Sequence, residues 1–121
     1  DLTFTWTPPV TDTPTRLLVT INIDQHGNSP LLLQCDFPDT GSGVVPSSTI
    51  DALVTAGISG FPNGSAARRT VDSMAVGEGC AELVVASSRV PDVRVAGHTP
   101  CKSTDDCPSG QTCNVPVETC E

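Results

Sequence analysis

A chain of 121 residues with 14 Asp and Glu against 6 Lys and Arg carries a net charge of −8. Phosphate binding needs clustered cations, so this balance argues against nucleic acid and anionic membrane surfaces as partners and reads as a solubility device. Three Phe, one Trp and no Tyr leave a thin core of Val, Leu, Ile and Ala, which six cysteines would reinforce as three disulfides in an oxidising compartment.

The elements follow in chain order. Leu2, Phe4 and Trp6 alternate with threonines through Thr7, which predicts a half-buried strand ended by Pro8 and Pro9. Val10 to Thr15 is a polar loop. Arg16 to Asp24 is the second strand, with Leu17, Val19, Ile21 and Ile23 inward. Gln25 to Pro30 is a turn in which Gly27 or Asn28 takes positive φ.

Leu31 to Phe37 is the third strand, and Cys35 shares its inward face with Leu31, Leu33 and Phe37. Pro38 to Gly43 is a turn. Pro46 to Val54 reads as a short helix with a Ser cap, Asp51 near its first turn, and Ile50, Leu53 and Val54 on one side; Gly57 stops it. Ala66 to Val76 is a fourth strand with Val71, Ala67, Ser73 and Ala75 inward. Gly77-Glu78-Gly79 is a tight connection to Cys80–Ser88, whose Leu83-Val84-Val85 is apolar on both faces, as in a central strand. Arg89 to Ala96 adds an edge strand interrupted at Pro91.

From His98 the composition changes to Pro, Gly, Asp and Ser between Cys101, Cys107, Cys113 and Cys120, a tail that only disulfides can hold. Six cysteines allow about fifteen connectivities. Cys35 and Cys80, each on a strand, are expected to pair and to stabilise by about 4 kcal/mol through a long loop. The tail cysteines are then expected to pair first with third and second with fourth, since interleaving best fixes a short chain. Zinc is the rival use of these thiols, but His26 and His98 fall outside ligand spacing.

Two resemblances rest on these residues. Cys101 through Asp106-Cys107-Pro108 and Gly110 to Cys113 resembles the C-x-x-x-x-D-C-P-x-G-x-x-C motif of secreted and lipid-anchored bacterial proteins. It also looks like half of a whey-acidic-protein or dickkopf-type knot, although it lacks the paired cysteines and so implies no inhibitor function. The region before it resembles the β module that precedes such tails, through Leu2-Thr3-Phe4-Thr5-Trp6, Cys35 to Gly41, Val45-Pro46 through Leu53, and Glu82-Leu83-Val84-Val85. The resemblance implies fold and location, and little about ligand.

Several motifs carry possible chemistry. Asp39-Thr40-Gly41-Ser42 matches the aspartic-protease triplet, which a chain of this length could use only as a two-fold dimer whose aspartates share a proton. Pro38-Asp39-Thr40-Gly41 is equally ordinary β-turn chemistry. Asp24, Asp36 and Asp39, or Asp105 and Asp106, could bind calcium, but no calcium-loop spacing is present. His26 beside Asp24 lacks the nucleophile elbow of a hydrolase. Trp6 could stack on a sugar, yet it runs in phase with Leu2 and Phe4, as a core residue does. Asn63-Gly64-Ser65 matches a glycosylation sequon.

The expectation is an all-β, antiparallel immunoglobulin-like sandwich over residues 1–97 with one short helix, and a disulfide-rich tail over residues 98–121. No run is long and apolar enough to span a bilayer, and no leader is present, so export implies a leader removed or a segment of a longer chain. The expected role is non-enzymatic and without cofactor: an interaction or structural module, secreted, periplasmic or on the outer surface, whose partner is a cell-surface protein or glycan. The alternatives are a dimeric aspartic protease using Asp39-Thr40-Gly41, and a carbohydrate- or calcium-binding module.

Overall fold

Leu17, Val19 and Ile21 alternate with Leu18, Thr20 and Asn22, and this two-residue period builds the strand on which the fold rests, β2 (Arg16–Asn22). The computed structural model describes residues 1–10, 14–24 and 31–121, and the backbone alone of Val71. His26, the turn around it and the inward placement of Val71 lie outside what is described.

Around β2 the described chain forms β1 (Leu2–Thr5), β3 (Leu32–Pro38), β4 (Ser42–Val45), α1 (Ser47–Ala56), β5 (Asn63–Val76) and β6 (Gly79–Arg89). The chain is mostly β, with antiparallel pairing throughout. One sheet of four strands runs in the order β3-β2-β5-β6 and curls into a half-barrel; β1 and β4 form a separate pair. Leu17, Val19, Ile21 and Ile23 are the buried centre, and Phe4, Trp6, Phe37, Leu53 and Ala66 pack against them. Leu33, Cys35 and Phe37 share that inward side of β3.

Gly43 of β4 lies so close to the Phe37 ring that an added Cβ would stand 2.5 Å from it. The predicted turn at residues 38–43 therefore gives way to a strand from Ser42 onward. Pro46, not a serine, occupies the helix cap position, and the Asp1 carboxylate accepts from Ser47 N at 2.8 Å in its place. The first helical turn carries no acidic residue. Gly57 ends the helix at φ 127°, in the region glycine favours.

Three further expectations change. Arg16↔Arg69, Val19↔Ala66 and Ile21↔Gly64 are the β2–β5 partners, so the even positions of β5, not Ala67, Ser73 and Ala75, continue the core side. Arg68 and Asp72 made that side look solvent-facing in the sequence, but Arg68 turns inward to an acid described below. Leu83-Val84-Val85 lies in an edge strand, because among the described residues β6 has no neighbour beyond β5. Arg89 ends β6, and residues 90–96 form no edge strand of their own, contributing a single bridge, Asn63↔Asp92.

The tail holds two short turns of 3₁₀ helix and the pair β7 (Cys113–Asn114) and β8 (Thr119–Cys120). Its bridges are Cys101–Cys113 and Cys107–Cys120, the interleaved pattern. Cys35 and Cys80 are free thiols. Their strands are the two edges of the sheet, three spacings or roughly 14 Å apart, and the register puts Cys80 nine positions, about 30 Å, further along. No disulfide spans that gap. The tail lies against the loop after α1: Gly60 N donates to Val117 O at 2.9 Å and His98 Nε2 to Gly60 O at 2.7 Å. Lys102 Nζ sits 5.5 Å above the Phe61 ring.

Candidate functional site

Asp39 follows the end of β3, at the end of the sheet where Arg16 starts β2. Its side chain is 2% exposed, and three donors close on it. Trp6 Nε1 donates to Oδ1 at 2.6 Å, Thr15 Oγ1 to Oδ2 at 2.7 Å, and Arg68 Nε to Oδ2 at 2.6 Å. Arg68 also donates to the Thr7 carbonyl, so one guanidinium ties β5 to the segment that leaves β1. The Arg68 guanidinium holds the Asp39 carboxyl below its usual range; burial pushes the other way, and the Thr15 and Trp6 hydrogen bonds reinforce Arg68. A proton-sharing protease aspartate needs an oxygen open to water and to a second acid. Here both oxygens are engaged by the protein's own donors, which suits a fixed anion that locks a turn. Trp6 is anchored by the same bond and packs 6.0 Å from the Phe37 ring, so its indole is not an open sugar platform.

The other acids scatter. Asp36 accepts from Arg16 and Arg69, each at 2.9 Å, on the outer side of the sheet. Desolvation raises its pKa, but the two arginines outweigh that, and the net direction is down. Asp24 stands beyond the opposite end of β2 and receives the Ser59 hydroxyl. Asp106 caps a tail turn, accepting from Lys102 N at 2.8 Å and Ser103 N at 3.0 Å. Calcium needs six to eight converging oxygens, and among the described residues no three carboxylates gather. Cys101, Cys107 and Cys113 have neighbouring sulfurs, but all three are consumed in disulfides and cannot ligate zinc as thiolates. Burial pushes the Cys35 thiol up, away from nucleophilic use.

Two features missed by the sequence reading offer surfaces instead. An open groove of about 470 Å³ runs between α1 and residues 93–96, lined by Ile21, Ile23, Ile50, Leu53, Val93 and Val95. Its charged groups, Asp1, Asp51 and Arg94, are exposed at the rim. The second feature is larger. β2 and β5 separate after Arg16↔Arg69, but β5 and β6 stay paired for seven more positions, from Thr70↔Val85 to Val76↔Gly79. This two-stranded arm extends about 24 Å at ~3.4 Å per residue. Directly opposed residues share a face, so Met74, Val76, Ala81, Leu83 and Val85 lie together, with Thr70 and Asp72 opposite Val85 and Leu83, on the face that continues the core side of the sheet. Met74 is 66% exposed and Leu83 64%, and no other described element covers them. Part of the signal was present in the sequence, as two long strands joined by a two-residue glycine turn; that both outrun β2 is seen only in the structure.

Comparison of the sequence with protein-family models and with curated proteins, and of the fold with solved structures, finds no match.

Proposed function

We propose that this chain is a non-enzymatic interaction module of a secreted or surface-exposed bacterial protein, and that it engages a protein partner through the apolar face of the β5–β6 arm. The observation that carries the reading is the continuous exposed row of Met74, Val76, Leu83 and Val85. Isolated exposed aliphatics are ordinary, but a contiguous row on a protruding ribbon marks an interaction surface. Two disulfides in the tail support an oxidising, extracellular setting, and no described helix is long and apolar enough to cross a membrane. The β1–β4 pair, lying over the core side of the larger sheet through Phe4 and Trp6, supports a small immunoglobulin-like sandwich as the scaffold. Asp39, the candidate catalytic acid, has both oxygens held by Trp6, Thr15 and Arg68, which favours binding over acid–base catalysis there.

The test places the photocrosslinker benzoylphenylalanine at Leu83, with the same group at exposed Val115 of the tail as control. The protein is irradiated in the medium or on the cells that produce it. Polypeptide adducts concentrated at position 83 are expected. Equal yields at 83 and 115, or none at 83, would sink the reading.

A further inference from the structure

The side-chain face of the arm does not by itself name an occupant, because Asp72 stands opposite Leu83 in the middle of it. The backbone edge does. Gly77 and Glu78 form a two-residue turn, with Gly77 at φ 61°, so Val76 and Gly79 close the hairpin as a hydrogen-bonded pair. Hydrogen-bonded and non-bonded pairs alternate along an antiparallel ladder. Gly79, Ala81, Leu83 and Val85 therefore bond to β5, whereas Cys80, Glu82, Val84 and Ala86 turn their N–H and C=O groups away from it. Among the described residues no strand lies beyond β6 to receive them.

The side chains of β6 suit a strand flanked on both sides. Leu83, Val84 and Val85 put aliphatic groups on both faces, each more than half exposed. From Gly79 to Ser88 the only charge is Glu82, and no Pro, Lys or Arg is present. Charges, lysine above all, and proline are what ordinarily keep an edge from pairing. The ladder with β5 also runs without a bulge. β3, the opposite edge of the same sheet, is guarded: Asp36 holds Arg16 and Arg69 on its outer side, and Pro38 ends it.

We propose that β6 takes up an extended segment of another polypeptide as a fifth strand of the sheet. This names the partner class for the arm of the preceding reading and rests on it. The added strand runs antiparallel, as every pair in the described chain does. Its backbone answers the outward groups of Cys80, Glu82, Val84 and Ala86, and its alternation sets the register. Aliphatic side chains of the incoming strand lie beside Ala81, Leu83 and Val85 and widen the apolar row. Small β-favouring residues lie beside Val84 and Ala86, and a cation beside Glu82.

The probe is a fluorescein-labelled peptide, Thr-Val-Thr-Val-Lys-Val-Thr, titrated with the full chain in a Cys80→Ser background and read by anisotropy. Its antiparallel register sets the lysine against Glu82. Saturable binding with a Kd below about 500 µM is expected, weak because the contact is smaller than a standard interface. The same peptide N-methylated at its third and fifth residues loses the donors that face Val84 and Glu82 and should bind at least tenfold more weakly. Val84→Pro removes one outward N–H while leaving the β5 ladder and the row of Met74, Leu83 and Val85 in place, and should weaken binding as much. Val84→Thr keeps that N–H and should stay within about threefold of the parent chain. Circular dichroism and the tail disulfides report whether each variant keeps the fold, and the N-methylated peptide needs no variant. No binding up to about 1 mM, equal binding of the N-methylated peptide, or Val84→Pro binding as tightly as Val84→Thr would each overturn strand addition. A dimer of the peptide-free chain that Val84→Pro abolishes would overturn the foreign strand in favour of a second copy. If benzoylphenylalanine at position 83 captures a polypeptide with undiminished yield in the Val84→Pro chain, the arm reading stands and strand addition alone falls. If the peptide fails to bind and position 83 captures nothing, both fall.

Discussion

The root and the tip of the β5–β6 hairpin are made by the same two strands, and they differ in what lies against them. At the root, β2 pairs with β5, Arg68 reaches Asp39, and Trp6 and Thr15 close on the same carboxylate. Beyond Arg69 the ribbon keeps its ladder hydrogen bonds and its alternation but, among the described residues, has no third strand and no covering layer. An isolated two-stranded ribbon is marginal in water, so the tip borrows its order from the root. An apolar pattern fixes which residues share a face, whereas burial depends on whether another element arrives to cover it.

The sharpest way to break the contrast is at Asp39. Asp39→Ala leaves the Trp6 indole, the Thr15 hydroxyl and Arg68 without their acceptor and should cost about 3 kcal/mol in urea unfolding, near the low end for a broken buried ion pair because Arg68 is partly exposed. Removing the tail bridge with Cys107→Ser and Cys120→Ser should cost about 2.5 kcal/mol in the same assay, consistent with a short closed loop. Gly43→Ala drives a methyl into the Phe37 ring and should cost about 2 kcal/mol, read as a lowered Tm.

Acid titration sharpens the same comparison. The Asp39 and Asp36 pKa values are lowered in the folded chain, so their contribution is complete above the unfolded carboxylate value of about 4 and is lost as pH falls through the lowered folded values. Thermal melts should therefore show stability falling with pH below about 4, and Asp39→Asn should flatten that limb while lowering the plateau. The smallest effect belongs to the arm: Leu83→Thr should change monomer stability by under about 0.5 kcal/mol, since it removes exposed apolar surface and keeps a β-favouring residue. A large loss there would show that the arm is covered in the folded monomer.

The cysteines give the same lesson from two sides. The tail pairing was legible because its four cysteines lie close in sequence with no core to compete for them. The expected Cys35–Cys80 bridge does not form, because two strand positions say nothing of how many strands stand between them, and Cys80 is exposed on the outer side of the sheet. Asp39 was conspicuous as a protease-like triplet, but its role depended on Arg68 arriving from 29 residues away.

By itself the sequence determined the local facts: the inward sets of β1, β2 and β3, the helix before Gly57, the glycine turn of the hairpin, and a tail that only disulfides could order. These follow from side-chain period, backbone sterics and composition, which act over a few residues. Only the tertiary structure decided the lateral order of the strands, the inward turn of Arg68 to Asp39, the separation of Cys35 from Cys80, and the length by which β5 and β6 outrun β2. Each of these depends on register between segments far apart in the chain, and register is set by which whole faces can be buried together.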